Sequence, residues 1–394
     1  MPTACAWVSA LFLASSVFGH TVALRLLLLA AAIVLAAVVV SRKKTRGLPS
    51  IWLPFLLWGT WAALSTLWSL EPERTLKEWR NEVFYTGAAL WVCYVGAQAR
   101  NAIRIYAAVL ATAAGTACLV ALYEFPRGWD AYAAGWHGGP GDHSSALLVL
   151  MPCVAMAGWY AVRAQWPRWT LAYIAALAVM MFLSAYTTLN RTIWLGFAVE
   201  FLVLGGLLLG HTKPTAKRVA AAGTLAVAAV VGCGAVIMTI QTDRQALGVA
   251  RAFDHDSRIA LWPQVSERIA ERPIAGHGFG RGMLRESLQA EFKTLDPHLW
   301  HAHNLFLEAL LQTGVAGLAL LVLLLAAIVR IAWRHARYGD DAVAACGIAL
   351  LGVVAGMLVR NMTDFLLVRQ NALLFWGVVG VLMAFGPGPW RARS

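Results

Sequence analysis

Charge is what this sequence has least of. Only 13% of its 394 residues are charged, against about 25% in an ordinary soluble domain. That shortage excludes a soluble globular enzyme, a disordered chain and a nucleic-acid-binding module. Cysteine is sparse as well. Cys5, Cys93, Cys118, Cys153, Cys233 and Cys346 all lie in apolar runs, and none forms a C-x-x-C pair. Neither a disulfide framework nor a zinc site is expected from that spacing. Met1–Thr3 lacks a basic n-region and a second apolar run follows the first at once, so no cleavable signal peptide is expected.

What fills the chain is apolar: 60% of residues are hydrophobic and the mean hydropathy is +0.64. A membrane helix needs about 20 mostly apolar residues to cross roughly 30 Å of hydrocarbon. Runs of that kind fall at about 3–19, 22–40, 51–69, 82–98, 102–122, 144–162, 169–188, 192–210, 219–240, 306–329, 343–359 and 371–387. Lipid offers no hydrogen-bond partner, so each run must satisfy its own backbone as a helix. The expected fold is an all-α polytopic membrane protein with about twelve transmembrane helices. Residues 1–240 would hold spans one to nine, 241–304 a helical periplasmic insert, and 305–394 spans ten to twelve with a cytoplasmic C-terminus.

Charge is also unevenly placed. Even-numbered connections and the C-terminus carry sixteen basic and two acidic residues, and odd-numbered connections fifteen and seventeen. One side therefore carries +14 and the other −2, so the net charge of +12 arises on one side. The positive-inside rule makes that side, with both termini, cytoplasmic. The excess is a topology signal that also favours anionic membrane lipids, and no nucleic-acid partner is expected. The other side is elaborated, with a long insert and eight of the ten histidines: His20, His137, His143, His255, His277, His298, His301 and His303. Chemistry is expected there, where ATP is absent and a donor must arrive already activated.

Within the insert, Asp256-Ser257 can cap a helix through Arg258, Ile259, Trp262, Val265 and Ile269, with its apolar face toward membrane or bundle. Pro263 is expected to start that helix late or kink it. Gly276-His277-Gly278-Phe279-Gly280 follows, without the strand that a dinucleotide fingerprint requires. It reads as a flexible connector or, with Arg281, as an anion-binding nest. A short amphipathic helix is expected over 283–292. The apolar sides of these helices are expected to dock at the bilayer and leave a lateral opening for lipids. His301 and His303 do not face one way on a helix and no acidic cluster accompanies them, so no metal is expected. Glu200, inside span eight, reads as a bundle-facing hydrogen-bonding or protonated residue.

The order of short motifs resembles the O-antigen ligase and polymerase superfamily. Arg258 with Trp262 comes first, then Pro273 before Gly276, Gly278 and Gly280, then His303-Asn304 with Glu308, and Gly314 and Gly317 on the next span. Asn190-Arg191-Thr192, in a short outer turn, and Asp364, in the last outer loop, are similar to residues of that family at those places. Length and one dominant outer insert favour the ligase type. The resemblance implies transfer of a glycan from an undecaprenyl-diphosphate-linked donor to lipid A–core at the periplasmic face of a bacterial inner membrane, with no cofactor. It implies Arg191, Arg258 and His303 as the catalytic set. Arg281, His301, Asn304 and Asp364 join Arg191 and Arg258 as candidates for binding substrate.

Arginine suits the leaving diphosphate because its planar fork matches phosphate oxygens and stays charged. Imidazole suits proton removal from the attacking hydroxyl near neutral pH, although His303 would equally serve to position the acceptor. Arg80 and Arg127 read as surface charges. Two alternatives stand beside the ligase. One is a polymerase or protein O-glycosyltransferase of the same superfamily, and the other is a polytopic transporter, for which paired repeats or broken helices are expected.

Overall fold

A computed structural model describes residues 1–42, 48–211, 224, 231–240, 242, 257–283, 301–365 and 367–385. All regular structure among them is helical. The order is α1 (Pro2–Ser15), α2 (Val22–Ser41), α3 (Trp52–Leu64), α4 (Pro72–Trp79), α5 (Tyr85–Gly96), α6 (Ala102–Glu124), α7 (Trp129–Ala133), α8 (Gly139–Arg163), α9 (Arg168–Thr187) and α10 (Arg191–His211). Then come α11 (Val231–Ile240), α12 (Ser257–Glu271), α13 (Leu305–Tyr338), α14 (Asp341–Asn361) and α15 (Arg369–Ala384). Among the described residues seven helices are long and apolar enough to cross a membrane: α2, α6, α8, α9, α10, α13 and α14. The protein is a polytopic membrane protein.

The other expected spans appear as shorter helices, and two of these are extended by tighter or wider turns. A 3-10 turn, Ser65–Leu67, continues α3. A π-helical turn, Arg80–Phe84, joins α4 to α5, so one rod runs from Pro72 to Gly96. The run expected at 219–240 is described only at Thr224 and over α11. The helix expected over 283–292 lies outside the described residues beyond Met283.

The core lies where α5, α8, α14 and α15 meet. Small residues let these backbones approach, as is usual where lipid supplies no hydrophobic drive between helices. A Cβ on Gly380 of α15 would stand 2.4 Å from Leu90 O of α5, and one on Gly352 of α14 would stand 2.4 Å from a methyl of Leu204. The outer surface of the bundle is apolar: Leu27 is 68% exposed and Leu53 66%. Water would not tolerate such a belt; lipid does. Glu200 faces the bundle, as expected, and packs on Gly356 of α14. Neither carboxyl oxygen has a hydrogen-bond partner among the described residues, so the hydrogen-bonding half of that expectation finds no support there.

The two ends of the bundle differ. At one, Arg163 Nε donates to Asp341 Oδ2 at 3.0 Å and Arg337 Nη1 to Gly210 O at 3.1 Å. At the other, the insert meets α13, and here the structure departs from expectation. Gly314 has φ 64° and ψ −170°, so α13 breaks within its first third. The segment from Pro273 to Gly278 fills the break. Leu311 O accepts from His277 N–H and Gln312 O from Gly278 N–H, each at 2.9 Å, while Val315 N–H donates to Pro273 O at 2.8 Å. The segment thus supplies the hydrogen bonds the helix has lost. Trp68 Nε1 and Trp61 Nε1 brace it from α3, donating to Ala275 O and Thr313 O at 3.0 Å.

The glycine run is therefore neither a loose connector nor an anion nest. Its remaining amides are spent too: Phe279 N–H donates to Ser65 Oγ at 2.9 Å and Gly280 N–H to Gln312 Oε1 at 3.1 Å. Pro263 does not delay α12, which begins at Ser257 and runs through it. The apolar face of α12, Leu261 and Val265 with Ile269, is buried against Leu307, Leu311 and Ala302. That face is consumed by α13 rather than offered to the bilayer.

Candidate functional site

Two short segments meet above the broken end of α13. The first is His301–Asn304, and the second is the turn from Asn361 to Val368 between α14 and α15. Asn304 joins them. Its Oδ1 caps α13 by accepting from Phe306 and Leu307 N–H at 2.9 and 3.1 Å, and its Nδ2 donates to Met362 O at 3.0 Å. Asn304 is thus a strap between the segments, with its amide largely spent before any substrate arrives. Asn361 repeats the device from the other side, accepting from Leu367 N–H at 3.1 Å.

Glu308, fully buried one turn into α13, sets the height of the histidine segment. Its Oε2 accepts from Ala302 N–H and its Oε1 from Gln312 Nε2, both at 2.7 Å. Gln312 in turn holds Gly280. One buried relay therefore links the glycine run to the histidines.

His303 adopts φ 50°, a left-handed conformation uncommon outside glycine. That kink turns the ring back over His301, so the two imidazoles stack with centroids 3.8 Å apart and planes 30° apart. The expectation that residues two apart cannot share a face applies to a helix, and this segment is not one. Nor is an acid missing. Asp364 Oδ1 lies 3.4 Å from His303 Nδ1 and 3.6 Å from His301 Nε2. Arg360, one helical turn before Asp364, donates to its Oδ2 at 3.3 Å. Burial alone would raise the Asp364 carboxyl. The contact with His303 and the charges of Arg360, His301 and His303 outweigh it and hold the group well below the ordinary carboxylate range.

The two histidines differ in what they can still do. His301 Nδ1 accepts from His303 N–H at 3.0 Å, and Arg281 Nη2 stands 3.1 Å from its Nε2. Both its nitrogens are engaged. Both nitrogens of His303 are buried, and among the described residues neither makes a hydrogen bond, Nδ1 facing Asp364 across 3.4 Å. A buried orphan of that kind is costly and asks for a reason. His303 is the ring with a nitrogen left to take a proton.

Arg281, expected from sequence as a candidate for anion and substrate binding, is drawn into this cluster. Burial lowers its guanidinium from the ordinary value, and the Asp364 and Glu308 carboxyls partly restore it. It also lines a cavity of about 50 Å³ with Glu82, Gln312 and the aromatic rings of Trp58, Phe279, Phe365 and Trp376.

His301, His303 and Asp364 are the group with metal-ligand character among the described residues, their donor atoms within 4.8 Å of one another. An ion there would have to displace the His303 amide or Arg281 from His301, and it would face the guanidinium groups of Arg281 and Arg360. The donor set fits two fixed cations better than a third, mobile one.

Arg191 begins α10, with an exposed side chain. Asn190 Oδ1 accepts from Thr192 N–H at 3.0 Å and fixes the turn before the helix. The helix beneath it packs along α14, Glu200 lying on Gly356, so Arg191 stands at the same end of the bundle as Arg360 and Asp364. Among the described residues it makes no hydrogen bond or ion pair with the histidine cluster. The backbone of Arg258 is the second residue of α12, and its side chain lies outside the described residues. Of the other outer histidines, His277 Nε2 is bound to Arg268 O at 2.8 Å, His137 to Glu124 at 2.9 Å and His143 to Ser184 at 3.2 Å. These three are structural. His255 and His298 lie outside the described residues. Sequence reasoning missed Arg360, whose four-residue spacing from Asp364 was the available signal, and Gln312 and Glu82, for which there was none.

Parts of this chain are similar in sequence to known proteins. Residues 176–322 match the O-antigen ligase family. A 130-residue stretch is 35% identical to the exopolysaccharide production protein ExoQ of Rhizobium meliloti (strain 1021). That alignment covers 30% of this chain and 30% of the relative.

Proposed function

We propose that this chain, whose residues 176–322 match the O-antigen ligase family, is a membrane glycosyltransferase whose reaction is centred on His303. The observation that carries this reading is the imidazole of His303, buried without a hydrogen-bond partner beside Asp364. An acceptor hydroxyl loses its proton to His303 Nε2, while Asp364 faces Nδ1 and steadies the imidazolium that forms. The freed oxygen attacks the anomeric carbon of the donor glycan. The bond from that carbon to the lipid diphosphate breaks, and its electron pair leaves on the diphosphate oxygen. Arg281, Arg191 and Arg258 are the cations assigned to that developing charge, the task a divalent metal performs in other transferases.

The specific reaction proposed is ligation of O-antigen from undecaprenyl diphosphate onto lipid A–core, at the periplasmic face of the inner membrane. The likeness to an exopolysaccharide production protein favours a second reading, polymerisation of lipid-linked repeat units by the same chemistry. One experiment separates them. Purified protein receives lipid-linked glycan with or without lipid A–core, in the absence of ATP, and products are sized. Joined product only with lipid A–core supports the ligase; lengthening of the lipid-linked glycan alone supports the polymerase. His303→Ala is expected to lower either activity by about 10²- to 10⁴-fold. Full activity in that variant removes the assignment.

A further inference from the structure

Two local choices that cost stability coincide with an exposed cation at one residue outside the histidine cluster. Arg369 has φ 50°, a left-handed backbone for a residue with a long side chain. It is also the first residue of α15, and a cation at a helix N-terminus opposes the helix dipole. Its guanidinium is exposed and makes no hydrogen bond or ion pair among the described residues. A position that breaks several local rules without return is a candidate for function.

The surroundings are built to hold this conformation. Arg369 N–H donates to both oxygens of Glu82, each at 3.0 Å. Glu82 is 8% exposed and sits in the π-helical turn Arg80–Phe84, a kind of irregularity found often at functional sites. The next two residues are tied down as well: Gln370 and Asn371 both donate to Asp142, the latter at 2.8 Å. Glu82 lines the same cavity as Arg281, and the charges of Arg369 and Arg281 both act on Glu82 and Asp142. The segment 361–369 thus presents Asp364 to the histidines and Arg369 beyond them.

We propose that Arg369, its backbone fixed by Glu82 beside this cavity, is a further substrate-gripping cation for a phosphate group carried on a lipid. The proposal rests on the glycosyl-transfer reading. The phosphate belongs either to the departing prenyl diphosphate or to a phosphorylated glycolipid acceptor, and both offer the oxygens that a guanidinium fork matches. Glu82 acts through Arg369 and is a positioning residue.

The test measures binding of two probes, farnesyl diphosphate and lipid A, to the full chain in lipid nanodiscs, beside its thermal melting. Arg369→Gly is the informative variant, because glycine accepts the left-handed backbone and keeps the N–H bonded to Glu82. Its melting temperature is expected to be no lower than wild type, while affinity for one or both probes falls about tenfold. Loss confined to farnesyl diphosphate assigns Arg369 to the donor, and loss confined to lipid A assigns it to the acceptor. Arg369→Lys should recover part of the loss. Unchanged affinity for both probes overturns the proposal, and so does affinity that falls only in step with melting temperature. Wild-type protein that binds neither probe overturns the glycosyl-transfer reading along with it.

Discussion

At the scale of single residues, the site is defined by which polar atoms are spent. His301 is held from both sides, Asn304 is a strap, and His303 faces Asp364 through Nδ1 while its Nε2 has no partner among the described residues. Asp364 links that ring to acid stability. Its folded carboxyl titrates below the unfolded value of about 3.9. The unfolded chain therefore binds the extra proton as pH falls, and the stabilisation present above about pH 4 is lost below it. Asp364→Asn should flatten that part of the acid limb in melts run from about pH 3 to pH 7 in detergent, and should lower transfer by about two orders of magnitude. An acid limb as steep as wild type would detach Asp364 from the ion-paired role. Glu200 makes the opposite case. Its two carboxyl oxygens lack donors, and burying such a group costs about 1–3 kcal/mol. Glu200→Met should melt no lower than wild type and transfer normally; a large drop in either would reveal a partner or a proton path.

At this scale His303 and Asp364 were legible, because their residue types announce their chemistry. Their meeting was not. It depends on a left-handed residue at position 303 and on a contact 61 residues along the chain, and neither leaves a periodic trace.

At the scale of elements, the break in α13 is the main departure from expectation. Hydropathy shows a continuous span there because the residues around Gly314 are apolar enough on either side. The reason for the glycines lies in a partner segment. A Cβ on Gly314 would come 2.2 Å from Ile274 O, and one on Gly276 would come 2.4 Å from Gln312 O. Only the paired structure explains either. Gly314→Ala should lower stability by several kcal/mol, combining a backbone region nearly closed to other residues with a main-chain clash. Gly206 in α10 has open space around it, and Gly206→Ala should be neutral or stabilising by about 0.5–1 kcal/mol. Thermal melts of the two variants in the same detergent decide the matter; equal effects would mean the break is not built into the fold.

At the scale of the whole molecule, the layout was largely readable from the chain. Apolar runs marked the helices, and charged residues gathered at their ends. What composition alone did not convey was that α1, α3, α5 and α15 are short, and that α3 and α5 are extended by irregular turns. One of those turns, at Arg80–Phe84, carries Glu82 to the outer chamber. The distribution of cations also shapes an expectation about metals. With Arg281 and Arg360 already at 3.1 and 3.3 Å from His301 and Asp364, transfer should persist in EDTA. Activity abolished by chelation and restored by a divalent ion would give the three groups to a metal instead.

The side-chain contact between Arg281 and His301 also ties together the two borders of the stretch that separates them. Each border is anchored on its own, one through the glycine run on α13 and the other through Glu308 and Asn304. Closing a longer loop between fixed ends costs only about 0.6 kcal/mol for each doubling of its length. The register of the catalytic ring is thus insulated from the size of that stretch. A linker of different length between Met283 and His301 is therefore expected to leave His303 in place, and an unchanged transfer rate in such a graft would check it.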